Sequence, residues 1–253
     1  MAKLERAHDA QPPEPRELDV ASLFGFKNLV SALLEQGANV EAVNAIGTTP
    51  LMNASREGHV DIVQMLLDHG ADIDRVDPFG RSALFLALDE HKNAVVKLLL
   101  KRGAKLDEIA DGTTVLMEQC HSPRGRLANV ELLLDGGANV NLANRAGITA
   151  LMCTSFRYDH DKVAIIELLL RHGAAIDQVD REGNTALAYA CKHLCLGNVR
   201  VLLEHGATVT SRCLELQQET MRDDPLVAPQ IRSLLLAKQR ARRHRPRASS
   251  HKI

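Results

Sequence analysis

Eleven histidines, five cysteines and 32 acidic residues give this 253-residue chain ample material for metal binding or acid–base chemistry. Spacing decides whether any of it is organised. The most suggestive run is Cys191-Lys192-His193-Leu194-Cys195, whose thiols and imidazole are zinc ligands by type. On a continuous helix, Cys191 and Cys195 would share a face while His193 pointed elsewhere, so three ligands would not converge. Packing of apolar thiols is the expectation here. Gly-x-Ser-x-Gly, His-Glu-x-x-His and Cys-x-x-Cys are all missing from the sequence. His59, His69, His172 and His205 recur in one phase at expected helix ends, where an imidazole complements the backbone dipole. These readings predict no catalytic residue, no metal site and no cofactor.

Composition narrows the classes further. Apolar residues make up 45% and charged residues 25%, which excludes a wholly disordered chain. The longest apolar runs, Ala83 to Leu88 and Ala186 to Cys191, fall far short of the ~18 residues of a spanning helix. The charged N-terminus does not read as a secretory signal. Five cysteines without framework spacing read as reduced thiols, so the expected setting is cytoplasmic and/or nuclear. The net charge of −1 hides a split: residues 238–253 hold seven Lys and Arg and no acid, leaving 24 basic against 32 acidic residues before them. An acidic body repels phosphate backbones, so nucleic acid is expected to be touched only weakly, through the tail.

The elements that would position any site come from an internal repeat. Gly-Ala falls at Gly37, Gly70, Gly103, Gly137, Gly173 and Gly206, at intervals of 33 to 36 residues. A second marker, Gly-x-Thr/Ser, occurs nine or ten residues later at Gly47, Gly80, Gly112, Gly147 and Gly183. In the clearest unit, Thr49 is a predicted helix N-cap with Pro50 at the first helical position. Leu51, Ala54 and Ser55 give a short inner helix, and Gly58-His59 breaks it. Val60, Ile62, Val63, Leu66 and Leu67 then form the apolar stripe of an outer helix that ends at Gly70. Neither helix buries its apolar face alone, so each unit needs stacked neighbours.

In these markers the chain resembles the ankyrin-repeat family, whose period is 33 and whose signature is Thr-Pro-Leu-His-x-Ala. Here the signature reads Thr49-Pro50-Leu51-Met52-Asn53-Ala54, and is echoed at Ser82, Thr114, Thr149 and Thr185. The signature His is replaced by Met52, Phe85, Met117, Met152 and Ala188, which implies loss of a hydrogen bond the family makes. The resemblance implies an all-α repeat solenoid of helix–turn–helix units with β-turn fingers. The expected organisation is a flexible lead at 1–15 and six repeats over 16–212, divided at about 16–43, 44–76, 77–108, 109–143, 144–179 and 180–212. A divergent helical cap comes next at 213–237 and then a basic tail at 238–253, with two capping helices read at Leu214 to Met221 and Val227 to Arg243.

The resemblance further implies a monomeric, non-catalytic scaffold or adaptor that binds another protein in a concave groove. The expected contacts are Phe79, Arg81, Arg145, Ile148, Phe156, Arg157 and Tyr158, because aromatics and Arg anchor interfaces. Phe156 to Tyr158 lie in an insertion within the fifth repeat, and a second insertion comes after Cys120 in the fourth. Asn141 is the one Asn at its repeat position, which in animal ankyrin repeats is a target of asparaginyl hydroxylation. The alternatives are a nuclear or RNA-associated regulator acting through the tail, or the targeting module of a larger protein. Lys238, Arg240, Arg242, Arg243, Arg245 and Arg247 form the candidate nuclear address. A fluorescent fusion is expected to accumulate in nuclei and to disperse when Arg242, Arg243 and Arg245 become Ala. An unchanged distribution of the variant refutes the address.

Overall fold

Six hydroxyl side chains start helices in this protein, and together they set its register. In the computed structural model, which describes residues 15–106, 112–122, 126–156, 162–220 and 224–243, Thr49, Ser82, Thr114, Thr149, Thr185 and Thr210 each accept a hydrogen bond from the backbone N–H three residues on. The donor–acceptor distances run from 3.1 to 3.4 Å. Each cap contributes on the order of 1 kcal/mol. At the first of them Met52 occupies the place of the signature His, and its sulfur receives the Thr49 N–H at 3.5 Å. The thioether thus takes over part of the bonding that the lost imidazole implied.

Fourteen α-helices lie among the described residues, arranged as stacked inner–outer pairs in two units. Unit 1 spans residues 1–110 and contains α1 (Pro15–Phe24), α2 (Lys27–Glu35), α3 (Pro50–Glu57), α4 (Val60–Asp68), α5 (Ala83–Asp89) and α6 (Asn93–Lys101). Inner helices α1, α3 and α5 pack in sequence, as do outer helices α2, α4 and α6. Their common face is buried Leu and Val: Leu18, Leu51 and Leu84 inside, with Leu33, Leu66 and Leu99 outside. Each such side chain stabilises by about 1.5–3 kcal/mol. Helix α1 begins at Pro15, one residue inside the expected lead, because proline suits the first helical position.

Unit 2 spans residues 111–253 and holds α7 (Val115–His121), α8 (Leu127–Asp135), α9 (Ala150–Cys153), α10 (Val163–Arg171), α11 (Ala186–Lys192), α12 (Leu196–Glu204), α13 (Ser211–Glu219) and α14 (Ala228–Arg243). Two sequence expectations are refined here. The Cys191–Cys195 run is not one helix: α11 stops at Lys192, Leu194 takes a left-handed φ of 54°, and Cys195 caps α12. The two thiols are buried on separate helices, and no trio of His, Cys, Asp or Glu among the described residues is placed to hold a metal. The closing helix starts at Ser211, not Leu214, because Thr210 fills the cap position without an intervening finger. The helix expected from Val227 to Arg243 is α14, which starts one residue later and carries the first residues of the basic run. Ala228, Ile231 and Leu235 of α14 are fully buried against the last pair.

The insertion in the fifth repeat cuts α9 to four residues, and buried polar groups hold the segment beyond it. Asn198 of α12 donates to the Thr154 carbonyl at 3.1 Å and accepts from the Lys162 amide at 2.9 Å. The Lys162 ammonium reaches the Cys120 and Ser122 carbonyls. Asn129 likewise donates to Gln119 Oε1 at 2.8 Å. In unit 1 the same helical position is apolar, Ile62 and Val95. Lengthened loops expose backbone groups to the interior, and Asn satisfies them where Ile would not. Asn198→Ala is expected to cost ~1–3 kcal/mol in urea unfolding, and Asn198→Ile to be no better despite its greater apolar volume. Full stability in the Ile variant would show that the Asn bonds contribute nothing net.

Candidate functional site

Between successive helix pairs the chain makes a polar finger, and one Asn or Asp builds each of the four described below. Asn44, Asp77, Asn144 and Asp180 all accept two backbone N–H groups on Oδ1, from residues two and four positions on, at 2.8 to 3.1 Å. This is the local side-chain-to-backbone turn these residues favour. The turn also requires glycine. Gly147 sits at φ 84°, and a Cβ there would meet the Asp180 backbone at 2.9 Å. In the fourth repeat the corresponding position is Ile109, whose side chain has no acceptor atom.

A second row of side chains ties each finger to the next repeat. Glu41 Oε1 accepts the Asp72 amide, Asp74 Oδ1 the Lys105 amide, Asn141 Oδ1 the Ala175 amide, and Asp177 Oδ1 the Thr208 amide, all at 2.8 Å. Asn141 also donates to the Gly173 carbonyl at 3.0 Å. The candidate hydroxylation residue is therefore an exposed rung of this ladder, with both ends of its amide engaged.

The expected contact residues fall into two sets, one in each unit. In unit 1, Phe79 stands at the tip of its finger with 74% of its surface exposed. Arg81 lies 5.0 Å from its ring centroid in a cation–π contact and forms a 2.7 Å ion pair with Asp77. Three further apolar side chains join Phe79 on the fingers: Val43, Ile46 and Val76, all exposed. Val43 and Val76 are 33 residues apart, as are Ile46 and Phe79, so the four form two rows in the register of the repeat. Val43 and Val76 are not among the expected contacts, although apolar residues recurring at the repeat period within a polar turn were the signal that would have found them. The equivalents of Phe79 in later fingers are Asp111, Ala146 and Glu182, so the Ile46–Phe79 row is confined to unit 1, whereas the Val43–Val76 position recurs in unit 2 as exposed Val179.

In unit 2 the expectation needs correction. Phe156 is half-buried rather than displayed. Its ring meets Tyr189 edge-on at 4.7 Å and His121 at 5.8 Å, because α9 ends early and leaves space between α7 and α11. The Tyr189 hydroxyl donates to Asp180 at 2.5 Å, which binds this aromatic cluster to the finger. Arg145 is exposed on its finger, while Ile148 is half-buried with its amide on Asn144. Arg157 and Tyr158 lie outside the described residues, as do Arg245 and Arg247. Arg240 is in α14, and Arg242 and Arg243 form its last turn. Lys238, also on α14, donates to the Leu203 carbonyl at the end of α12, so it helps attach the closing helix.

Buried thiols show no activated nucleophile in an open site. Burial pushes the Cys153 thiol up to about 12, and Cys120 also moves upward. Cys213 is held below its usual range chiefly by a hydrogen bond from Cys191, yet both are fully buried.

Stacked helix pairs joined by Asx-built fingers define a class of architecture that is typically non-catalytic, the helical repeat solenoid. The model of ankyrin repeats in three copies matches residues 18–110, 72–144 and 116–213, and the chain belongs to the ankyrin-repeat family. Among solved structures, an ankyrin repeat domain from Acinetobacter baumannii is 28% identical with a TM-score of 0.68, over 77% of this chain and 100% of that one. A chain from the structure of a predatory endopeptidase from Bdellovibrio bacteriovorus in complex with an immunity protein is 27% identical, with a TM-score of 0.63 over 75% and 97%. The human ASB11 ankyrin repeat domain shares the fold at 24% identity and a TM-score of 0.69, over 91% of this chain and 99% of that one. Comparison with curated proteins finds no match.

The finger carboxylates give the fingers a pH dependence. Burial alone would raise the Asp77 carboxyl, but the amide and guanidinium of Arg81 and the Phe79 amide hold it below the ordinary carboxylate range. Asp180 is lowered in the same way, against burial, by Tyr189, Asn184 and the Glu182 amide. A carboxyl lowered on folding stabilises fully above its unfolded pKa of about 4, and that stability is lost as pH falls through the folded value. The double variant Asp77→Asn and Asp180→Asn keeps the turn acceptor that Asn44 and Asn144 already provide. It is expected to be slightly less stable at neutral pH and to lose less stability on acidification, read by urea unfolding across an acid series. An acid limb as steep as in the native chain would show that these carboxylates do not set it.

Proposed function

We propose that this chain is a non-catalytic protein-binding scaffold, an adaptor whose partner docks on the finger edge of unit 1. The observation that carries the reading is the exposed double row of Val43, Ile46, Val76 and Phe79, in register across two fingers. Monomeric domains seldom display such a patch without a use for it, and an exposed aromatic beside an Arg is the common anchor of an interface. The fingers are stiffened by Asn44, Asp77 and the Glu41–Arg75 pair at 2.7 Å, so little ordering cost falls on binding. The family supports the general role, and a chain of this fold occurs in the endopeptidase–immunity protein structure. The basic residues Arg240 to Arg247 stay part of the proposal only as a nuclear address, in a protein that is cytoplasmic and/or nuclear.

Ile46→Ala and Phe79→Ala are each expected to weaken partner binding by ~1–2 kcal/mol or more. The side chains are exposed, so the melting temperature should hold nearly constant. The measurement is quantitative capture from cell extract with the native chain, the two variants and Arg145→Ala in unit 2. Loss of the same protein from both finger variants, with Arg145→Ala unaffected, supports the site. Capture at full strength by both finger variants places the partner elsewhere.

A further inference from the structure

The charge of unit 1 is divided between its two sides. Over residues 15–106, the outer helices α2, α4 and α6 with their cap residues hold five Lys and Arg against Glu35, Asp61 and Asp68. The inner helices and fingers hold five Lys and Arg against nine Asp and Glu. Four of the five cations on that inner side are already engaged. Arg75 pairs with Glu41 and Arg81 with Asp77, both at 2.7 Å, Arg56 with Glu57 at 3.2 Å, and Lys105 with Asp74 at 3.6 Å. Asp19 is buried and accepts from Asn44 and Asn53. Glu17, Asp72, Asp89 and Glu90 are left, and among the described residues no ion pair reaches them.

Asp89 and Glu90 stand where a helix least favours them. They are the last residue of α5 and its C-cap, beside carbonyls that no helical N–H satisfies. Cations stabilise such an end and carboxylates oppose it. The chain follows that rule nearby: α6 ends on Lys101 and Arg102, and α3 has Arg56 in its last turn. At α5 the two carboxylates and the carbonyls instead add to one negative pole. The helix that bears it is the one into which the Phe79 finger leads. Phe85, half-buried on α5, shares a helix face with Asp89 four residues on, so apolar and acidic surface adjoin there.

We infer that the segment docking on the finger edge of unit 1 is a linear stretch of a partner protein that carries large apolar side chains together with Lys and Arg. The inference rests on the finger site proposed above and adds the partner's chemistry. The apolar side chains cover Val43, Ile46, Val76 and Phe79, a narrow strip of two side chains per finger. The cations turn toward the inner helices and meet Asp89 and Glu90. An acidic sector attracts a basic segment before contact, and apolar burial beside the charges lowers the local dielectric and strengthens the attraction. The same carboxylates repel an acidic segment, so the sign of charge sets specificity.

Selection of a random-peptide library displayed on phage against the full chain reads this chemistry directly. Enriched peptides are expected to combine Leu, Ile, Val or aromatic residues with an excess of Lys and Arg. A fluorescein-labelled synthetic copy should bind less tightly as salt rises, and about tenfold less tightly to the double variant Asp89→Lys and Glu90→Lys. Lys suits a helix C-terminus, so the circular dichroism of that variant should be unchanged. The neutral pair Asp89→Asn and Glu90→Gln should fall between it and the native chain. The same peptide should lose affinity for Ile46→Ala and for Phe79→Ala. Enriched peptides with an excess of Asp and Glu, or binding indifferent to both double variants, overturn the basic partner. The finger site then still stands if the two Ala variants weaken binding. Basic peptides that bind both Ala variants at full strength refute the finger site and this inference with it. A library from which nothing is enriched overturns the linear basic segment.

Discussion

Within each unit, everything rests on one helix pair serving as the surface on which the next is laid. No pair buries its own apolar face, so the stability of each is borrowed from its neighbours, and the terms add along the chain. In unit 1 the borrowed contact combines buried Ile62 and Val95 with polar bonds from Asn53 to Asp19 and between His59 and the Leu23 carbonyl. The same constraint makes the ends exceptional. At one end, α14 covers the last pair and turns Gln230, Arg232 and Ser233 outward together with Leu236. At the other, the first pair leaves Val20, Phe26 and Leu29 exposed.

The fingers answer a different demand. A turn between stacked pairs leaves backbone N–H groups that no helix can use, and Asn44, Asp77, Asn144 and Asp180 each receive two of them. Because that acceptor works from within the finger, the side chains at the tip are free of structural duty. They are the places where composition can vary at little cost to folding, and unit 1 has placed Ile46 and Phe79 there. The rungs formed by Glu41, Asp74, Asn141 and Asp177 then pass rigidity from one finger to the next.

Unit 2 shows what an insertion does to such a design. Lengthening a loop is cheap in chain entropy. Its cost lies in the carbonyls and amides that are brought inside. Lys162 and Asn198 meet that cost, while Phe156 fills the space left by the shortened α9 against His121 and Tyr189. The aromatic side chain that looks most like a partner anchor from its place in an insertion is in fact packing between inner helices.

The sequence by itself determined the period, the paired helices, their Thr and Ser caps and the family, because all of these depend on short-range rules that recur every 33 or so residues. It also singled out Phe79 as a displayed aromatic at a turn tip. It could not tell that Phe156 turns inward, that Lys238 bonds the Leu203 carbonyl, or that the Cys191–Cys195 run is broken at Leu194. Nor did it show that Val20, Phe26 and Leu29 are left uncovered, since the same apolar residues in any later repeat would be core. Those outcomes depend on which neighbour stands beside a residue, and burial by a neighbour is a property of the stacked structure alone.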